Sequence, residues 1–276
     1  SLSPLTLRFQ ALDKHWLYEP ESHGLQEVHI EAASYQGLCS PNGQQTVFIH
    51  EDNLWLRDNK TGEEKALTQD GTEDCSYGRM REQVGPHGRD VQAQWSPDSK
   101  HLLSLQLDAR DVSTTPIVHY APLDGSKTPT ISYAKVSLEK AGKNLTYRLV
   151  VINVCTGKLL VADDYPLMPL MFGQEDLGLF LGNPLAWWSS DSQHAFFIEV
   201  TLGSKIARVM KWDTQAGSTQ VVIEESSDTN VLLNDGLNEL PLFFSPPESD
   251  ELIWYSERSG WGHLYLYDLT TGQLKH

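Results

Sequence analysis

Short apolar runs of alternating pattern recur along the chain, and most of them lead into one of two polar turn sequences. The first turn type places Asp or Asn four residues before a glycine, with copies at residues 58–62, 153–157, 213–217 and 268–272. The Asp or Asn side chain can accept hydrogen bonds from the turn backbone, and the glycine supplies a positive φ. Each copy therefore predicts a hairpin between two antiparallel strands.

The second turn type is Ser-Pro-Asp-Gly or a variant of it, at residues 40–43, 96–99, 189–192 and 245–248. Proline at the second position, followed by Asp, Asn or Gly, favours a type I hairpin loop. Each copy follows apolar or aromatic residues and precedes a strand-like run. Together the two turn types predict four antiparallel strands in each repeat, which is the signature of a β-propeller blade.

We therefore predict an all-β chain, a β-propeller forming a partial ring of about four to five four-stranded antiparallel blades. Residues 1–276 are predicted to be a single propeller region, with a partial first blade and four further blades at residues 1–36, 37–71, 91–162, 185–225 and 240–276. Residues 112–147 exceed the repeat and are predicted to be an insertion. Because an open ring exposes apolar blade faces, we expect a longer parent chain or, as the less favoured alternative, a homodimer through the blade edges.

The composition supports a folded domain and excludes several functional classes. Hydrophobic residues make up 39% of the chain and charged residues 21%, so a core can form and general disorder is excluded. The formal charge of −16 argues against nucleic acid as a partner. No apolar stretch is long enough to predict a membrane span. The chain begins Ser1-Leu2-Ser3 without a leader pattern, and we expect it to be part of a longer protein.

The spacing of cysteines, histidines and serines in this chain matches no metal-binding or catalytic motif. The three cysteines lack CxxC or CxxH spacing, and the ten histidines lack HxH or HExxH spacing, so we predict neither a metal site nor a cofactor. No Gly-x-Ser-x-Gly sequence occurs, so no nucleophile elbow is predicted. Five tryptophans are interpreted as recurring at equivalent positions of the repeat and filling gaps between blades: Trp55, Trp95, Trp188, Trp212 and Trp254.

Three stretches carry a more specific signal than the turns. They are Asn-Leu-Trp-Leu leading to Leu-Thr-Gln-Asp-Gly, Trp-Ser-Pro-Asp-Ser-Lys followed by Leu-Asp-Ala-Arg-Asp-Val, and Ser-Glu-Arg-Ser-Gly-Trp-Gly-His-Leu-Tyr-Leu-Tyr, at residues 53–71, 95–112 and 256–267. In these stretches the chain resembles the N-terminal β-propeller region of the dipeptidyl peptidase IV branch of the prolyl oligopeptidase (S9) family of serine peptidases. The Glu-Arg-x-Gly-Trp-x-His block is the most specific, because generic propellers share only the turns.

The resemblance implies a larger enzyme, in which a propeller caps a C-terminal α/β-hydrolase domain that is absent from this chain. Such peptidases cleave dipeptides from the amino terminus of peptides, often after proline, with a Ser/His/Asp triad. We therefore expect the parent to be the enzyme, with peptide substrates and its own hydrolase domain as partners, and no catalysis by this fragment. The analogy favours a periplasmic or secreted location and leaves a cytoplasmic one open.

In the resembled branch, paired glutamates of the propeller hold the free ammonium of the substrate, because a buried ammonium needs carboxylate partners. The matching residues 72–90 contain no Glu-Glu pair, and the candidates for substrate N-terminus binding are Glu82, Glu73 and Asp74. Glu82 is the nearest positional match. The alternative interpretation is a solvated loop carboxylate paired with Arg79 or Arg81.

Two further hypotheses stay open at the level of the sequence. The doublet Glu224-Glu225 is interpreted as part of a loop with free charges rather than as an amine clamp. The whole chain could also be a stand-alone propeller similar to the TolB type, a protein-interaction module without catalysis. The turn sequences do not separate that alternative from the peptidase interpretation, whereas the Glu-Arg-x-Gly-Trp block and the insertion favour the peptidase.

Overall fold

The structure, a computed structural model, describes residues 7–11, 14–20, 22–28, 37–79, 91–120, 128–135, 145–162, 186–201, 204–233, 242–246 and 249–276. Every regular element in these residues is a β-strand, which confirms the predicted all-β class. Within the same residues there is no helix of the length and apolar character that crossing a membrane requires. The chain divides into two compact units, Ser1–Gln36 and Gly37–His276.

The first unit contains one antiparallel sheet of three strands in sequential order. Its strands are β1 (Leu7–Ala11), β2 (Lys14–Glu19) and β3 (Gly24–Val28). Gly24 pairs with Glu19 across the turn between the last two strands. That this sheet is a partial first blade stays a prediction.

The second unit begins with a four-stranded antiparallel sheet in sequential order, here called blade A. Its strands are β4 (Leu38–Cys39), β5 (Gln45–His50), β6 (Asn53–Asp58) and β7 (Glu64–Ala66). Val47, Phe48 and Ile49 of its second strand and Leu54 and Leu56 of its third strand are buried, whereas Trp55 is half-buried.

The next sheet, blade B, has a first strand made of two short pieces that pair with different parts of the same second strand. A separate two-stranded hairpin stands between its second and third strands, inside the predicted insertion. The strands of this region are β8 (Cys75–Tyr77), β9 (Ala93–Trp95), β10 (His101–Asp108), the hairpin strands β11 (Thr114–His119) and β12 (Thr130–Lys135), β13 (Thr146–Asn153) and β14 (Leu159–Val161). The predicted lower limit of this blade, residue 91, therefore leaves out β8.

Two further sheets follow, blade C with four strands and blade D with three, each in sequential order. Blade C comprises β15 (Ala186–Trp188), β16 (His194–Val200), β17 (Ile206–Asp213) and β18 (Thr219–Ser226). Blade D comprises β19 (Phe243–Phe244), β20 (Glu251–Ser256) and β21 (His263–Asp268), with a further bridge between Tyr267 and Leu274.

Both predicted turn types form as expected. In blade B the Ser96 hydroxyl donates to Asp98 Oδ1 (2.6 Å) and accepts from the His101 amide (2.9 Å). In the other turn type, Asp213 Oδ1 accepts from the amides of Gln215 and Ala216 at 2.9 and 2.8 Å. The glycine that closes each copy of this turn has φ between 72° and 78°. Local side-chain chemistry therefore explains why the chain reverses at these points.

The core lies between neighbouring blades in three clusters, one for each pair A/B, B/C and C/D. Successive residues of a strand enter different clusters: Leu102 of β10 packs toward blade A, and Leu103 packs toward blade C. Both faces of such a strand are buried. This explains why six consecutive residues of β10, Leu102 to Leu107, are buried, including the polar residues Ser104 and Gln106.

The tryptophans occupy three different positions of the repeat, so their predicted equivalence is wrong. Trp95 and Trp188 end first strands, Trp254 lies on a second strand, and Trp55 and Trp212 lie on third strands. The two first-strand indoles join neighbouring blades, because Trp95 Nε1 donates to the Leu38 carbonyl (3.0 Å) and Trp188 Nε1 donates to the Gln94 carbonyl (3.1 Å). The first strands of successive blades are therefore the edges along which the blades converge.

The order of the strands also determines at which end of each blade a connection lies. Both polar turn types lie where second strands begin and third strands end, at what we call the turn end. The hairpins between second and third strands, and the links from one blade to the next, lie at the opposite end, the loop end. Long connections with varied side chains are thus collected at the loop end, where function is expected on a scaffold of this kind.

Candidate functional site

The first strand of blade B is interrupted by a segment that leaves it at Gly78 and returns at Gln92. The Gly78 amide donates to the Leu105 carbonyl (2.9 Å), and the Gln92 amide donates to the Gly78 carbonyl (2.8 Å), so the two ends of the segment are adjacent. Gly78 has φ +66°, and a Cβ there would lie 2.8 Å from Leu54 Cδ2. Only glycine fits this departure point without strain.

We call residues 79–91 the excursion. It starts from a first strand, and it therefore leaves the blade on the edge along which the blades converge. Residues 80–90 lie outside the described part of the chain, and so does the predicted amine-binding residue Glu82. The structure thus describes both ends of the segment that was expected to hold the substrate ammonium.

The first residue of the excursion, Arg79, forms an ion pair with blade A. Its Nη1 lies 3.1 Å from Asp52 Oδ1, and the two side chains are 37% and 26% exposed. Asp52 occupies the hairpin between β5 and β6, where it and Glu51 adopt φ values of +61° and +46°. Positive φ at both central residues is what a two-residue type I′ hairpin turn requires.

This turn is supported by the Leu-Thr-Gln-Asp-Gly motif. The Asp52 carbonyl accepts a hydrogen bond from the Tyr77 amide (3.0 Å). Gly71 packs against the same carbonyl, and any Cβ at this position would overlap the Asp52 oxygen. Asn53 Oδ1 accepts from the Gly71 amide (2.9 Å) and from Thr68 Oγ1 (3.0 Å), so the motif clamps the turn that presents Asp52.

A buried tyrosine lies beside the base of the excursion. The Tyr77 hydroxyl donates to Asp70 Oδ1 (3.0 Å) and accepts from Gln106 Nε2 (2.9 Å). Burial, and then the hydrogen bond to Asp70, raise the pKa of Tyr77 well above its usual range. The hydroxyl therefore remains protonated and acts as a fixed hydrogen-bond donor.

Of the two other predicted amine-binding residues, Asp74 already holds an ammonium group of this chain. Lys135 Nζ, on the hairpin of the insertion, lies 2.6 Å from Asp74 Oδ2 and donates to the Ala109 carbonyl at 2.9 Å. Glu73 is exposed, and among the described residues no side chain pairs with it. Asp74 therefore ties the hairpin to blade B, whereas the carboxylate of Glu73 faces solvent.

The doublet Glu224-Glu225 is not a loop with free charges, as the sequence suggested, because both residues lie on β18 and both are paired with arginine. Arg208 joins Glu224 (Nε to Oε2, 2.6 Å) to the buried Glu199 (Nη1 to Oε2, 3.1 Å). Arg208 and Glu224 are directly opposite in the β17–β18 register. The correction follows from that register, which brings an arginine sixteen residues away next to the doublet.

Glu225 belongs to a polar network that joins blade C to blade D. It accepts hydrogen bonds from Trp254 Nε1 (2.7 Å), Ser256 Oγ (2.5 Å) and Arg258 Nη2 (2.8 Å). The Arg258 guanidinium also donates to the Tyr267 hydroxyl (2.6 Å) and stacks on the ring of Tyr265 at 4.3 Å. Arg258 is the arginine of the Glu-Arg-x-Gly-Trp block. That block indicated the family resemblance, but its arginine was not predicted to pair with Glu225.

A cleft of about 200 Å³ opens beside this network at the loop end. Its lining combines polar residues, among them Ser226, Thr229, Glu257 and Arg258, with the apolar residues Val231 and Leu232. In the described residues, no group of three or more His, Cys, Asp or Glu side chains is placed to hold a metal ion. The charged side chains described above at the loop end therefore form ion pairs with one another. Such pairs are suited to holding loops in place and to binding polar ligands.

Comparison with known proteins identifies the family. The family model described as the dipeptidyl peptidase IV (DPP IV) N-terminal region matches residues 5–276. The chain belongs to this family. The three stretches that carried the resemblance are thus part of a match over nearly the whole chain.

Curated relatives of this DPP IV N-terminal region are named dipeptidyl peptidases. The chain is 26% identical over 266 residues to the probable dipeptidyl peptidase 4 of Aspergillus flavus. The aligned region covers 90% of this chain and 31% of that protein. It is 24% identical over 255 residues to dipeptidyl aminopeptidase A of Saccharomyces cerevisiae, covering 87% of this chain and 25% of that protein. The chain thus spans less than a third of the length of these relatives.

The fold matches a solved structure of the same kind. Porphyromonas gingivalis dipeptidyl peptidase 4 superposes on all of this chain and 36% of its own, with a TM-score of 0.65 and 14% sequence identity. At that identity the likeness concerns the fold. Together with the antiparallel sheets of blades A to D, it confirms the predicted β-propeller class.

Proposed function

We propose that this chain is the propeller portion of a dipeptidyl peptidase IV-like serine exopeptidase. In this role it restricts access to the catalytic site and positions the amino terminus of a peptide substrate. Bond cleavage belongs to a C-terminal α/β-hydrolase domain of the full-length parent, and this chain is not catalytic on its own. The observation that carries the proposal is the family match over residues 5–276.

The excursion supports the positioning role. It leaves blade B from the edge along which the blades converge, and it carries Glu82 in its sequence. A carboxylate in that position can replace part of the hydration that a substrate ammonium loses. We therefore retain Glu82 as the first candidate for the amine-binding group and Glu73 as the second, whereas the pairing with Lys135 makes Asp74 the weakest of the three.

The full-length parent provides the first test of this proposal. Incubated with a chromogenic Gly-Pro dipeptide substrate, it is expected to release the chromophore, and a fluorophosphonate is expected to label it at serine. The 276-residue chain alone is expected to show neither turnover nor labelling. A parent that does neither would argue against the peptidase, and labelling of the isolated chain would contradict the assignment of catalysis to the hydrolase domain.

We also propose that the protein forms a homodimer. Supporting this, the β11–β12 hairpin exposes several large apolar side chains, namely Ile117, Val118, Tyr120, Ile131 and Tyr133. Sedimentation velocity is expected to show a dimer whose population falls when Ile131 and Tyr133 are both changed to Ser. A chain that sediments only at 31 kDa across a wide concentration range would count against the dimer.

A further inference from the structure

Turns of the Ser-Pro-Asp-Gly type in successive blades are joined to one another by hydrogen bonds at the turn end. The Asn42 amide of blade A donates to Ser99 Oγ of blade B at 3.2 Å. The Asp98 amide of blade B donates to Ser192 Oγ of blade C at 3.1 Å. In both cases the donor is the third residue of one turn and the acceptor is the fourth residue of the next turn. The same contact therefore recurs at two successive blade boundaries.

The boundary between blades C and D has a related contact. The Ser190 amide, from the second residue of the blade C turn, donates to Asp250 Oδ1 at 3.3 Å. Asp250 lies directly before β20, and its carboxylate takes the part that a serine hydroxyl takes at the two earlier boundaries. Turn-to-turn hydrogen bonds thus cross all three boundaries from blade A to blade D.

The two acceptor serines adopt a backbone conformation that is uncommon for serine. Ser99 has φ +61° and Ser192 has φ +62°, in the left-handed region that favours glycine. The amide of each serine still closes its own turn, at 2.9 Å in blade B and at 3.1 Å in blade C. Because glycine would close the same turn with less strain, the turn geometry alone does not account for serine at this position.

The first copy of the turn shows the same position without a neighbour. Its fourth residue is Gly43, with φ +71°, and a Cβ there would have no heavy atom of the described residues within 4 Å. Ser99 and Ser192, by contrast, are 6% and 3% exposed. Serine therefore occupies the position where the turn of the preceding blade covers it, and glycine occupies the position where it is open.

We propose that Ser99 and Ser192 are connectors between blades, whose hydroxyls accept a backbone amide of the preceding turn and thereby fix the spacing of the blades at the turn end. Among the described residues, these hydroxyls are the acceptors of the Asn42 and Asp98 amides. An amide that loses its acceptor at a packed boundary is unfavourable, so the hydrogen bond offsets the strain of the positive φ. This role does not depend on the peptidase activity of the parent, because it concerns the packing of the blades.

The substitution Ser99→Gly in the 276-residue chain distinguishes a connector from an ordinary turn residue. In an ordinary turn residue, glycine relieves the strain of the positive φ and does not lower stability. In a connector, loss of the hydrogen bond is expected to lower the urea midpoint by about 0.3 M or more. Ser192→Gly is expected to give the same result at the boundary between blades B and C.

The matched control is Ser204→Gly, in the β16–β17 hairpin. Ser204 also has positive φ, +53°, and its hydroxyl has no hydrogen-bond partner among the described residues. Its urea midpoint is expected to stay the same or to rise. Gly43→Ser, which adds the strain without a partner, is expected to lower the midpoint. A Ser99→Gly midpoint as high as that of Ser204→Gly, or a rise in Gly43→Ser, would overturn the connector.

Hydrogen exchange of individual amides tests the bond itself. In Ser99→Gly the Asn42 amide is expected to exchange about tenfold faster or more, because its acceptor is lost. The Gly43 amide, which is bonded within its own turn at 2.8 Å, is expected to keep its rate. In Ser192→Gly the Asp98 amide is expected to respond as the Asn42 amide does. Unchanged rates of the Asn42 and Asp98 amides, or an equal increase at the Gly43 amide, would overturn the proposal even if the midpoint fell.

Discussion

At the scale of single residues, Trp95 contributes strongly to the packing between blades A and B. It is 6% exposed, and its indole donates a hydrogen bond to the neighbouring blade. We predict that Trp95→Ala lowers the free energy of unfolding by about 3 kcal/mol or more, because it leaves a cavity between the blades. Urea denaturation measures this change.

The matched control for that change is Trp261→Ala. Trp261 is 80% exposed, so its removal is expected to cost less than about 0.5 kcal/mol. A third variant, Trp95→Phe, keeps most of the apolar volume and removes the indole hydrogen bond, and it is expected to cost about 1 kcal/mol from that bond. A loss below about 1 kcal/mol in Trp95→Ala would show that the cluster between blades A and B does not depend on this residue.

His101 is a second residue with a measurable consequence. Its Nε2 faces Asn153 Nδ2 at 3.1 Å, and the Asn153 oxygen is already used by two turn amides. Nε2 must therefore be the acceptor, which leaves the proton on the buried Nδ1. Burial lowers the pKa of His101, with Lys100 acting in the same direction and Asp98 opposing it. Protonation would also turn the contact with Asn153 into one between two donors.

We predict from this that the protein loses stability between pH 7.5 and pH 5. Because the pKa is lowered in the folded state, the unfolded chain binds the proton more readily, so stability is complete above the unfolded value of about 6.5 and falls below it. His101→Gln, which introduces the residue found at the equivalent position 45, should lose less stability over this range. Urea midpoints at the two pH values measure the difference, and equal losses in both proteins would contradict the account.

At the scale of elements, the polar turns were predictable because their chemistry is local. An Asp or Asn side chain and a glycine four residues later are enough to define the reversal, and the backbone hydrogen bonds follow. The split first strand of blade B was not predictable in the same way. Its two pieces are three residues each and are joined by the excursion, so no periodic pattern links Cys75–Tyr77 to Ala93–Trp95.

The paired glutamates of β18 were missed for a related reason. Arg208 reaches Glu224 through the register of a hairpin, and Arg258 reaches Glu225 from the next blade. Neither arginine lies near the doublet in sequence, so local reasoning assigned free charge to both glutamates. In the same way, the pairing of Asp52 with Arg79 depends on the approach of two blades and on the clamp around Gly71.

The turns give a prediction that belongs to this scale. Hydrogen bonds from the amides of Ala216 and Gln215 lower the pKa of Asp213. Asp213→Ala is expected to cost about 1 kcal/mol at pH 7, whereas Asp213→Asn should retain most of the stability, since Asn153 makes the same two bonds in blade B.

The pH dependence of these variants follows from the direction of the shift. A lowered folded-state pKa stabilises the protein above the unfolded value and loses this effect as the pH falls through the folded value. Asp213→Asn should therefore lose less stability than the wild type between pH 5 and pH 3 in urea denaturation. An Asn variant as unstable as the Ala variant at pH 7 would argue against the turn hydrogen bonds as the cause.

At the scale of the whole molecule, the architecture separates scaffold from function. The turn end repeats the same two local motifs in successive blades, whereas the loop end carries the inserted hairpin and the cleft beside Arg258. The blades are held by apolar clusters between their faces and by first-strand tryptophans. Changes at the loop end should therefore alter substrate handling more than stability.

The most direct test of the proposed function compares kcat/KM of the full-length parent for a Gly-Pro substrate with a free amino terminus and for its N-acetylated form. We predict a strong preference for the free amine, a loss of about a hundredfold of that preference in Glu82→Gln, and little change in Glu73→Gln. If the wild-type parent cleaves both substrates equally well, or if Glu82→Gln keeps the full preference, then the excursion does not position the amino terminus.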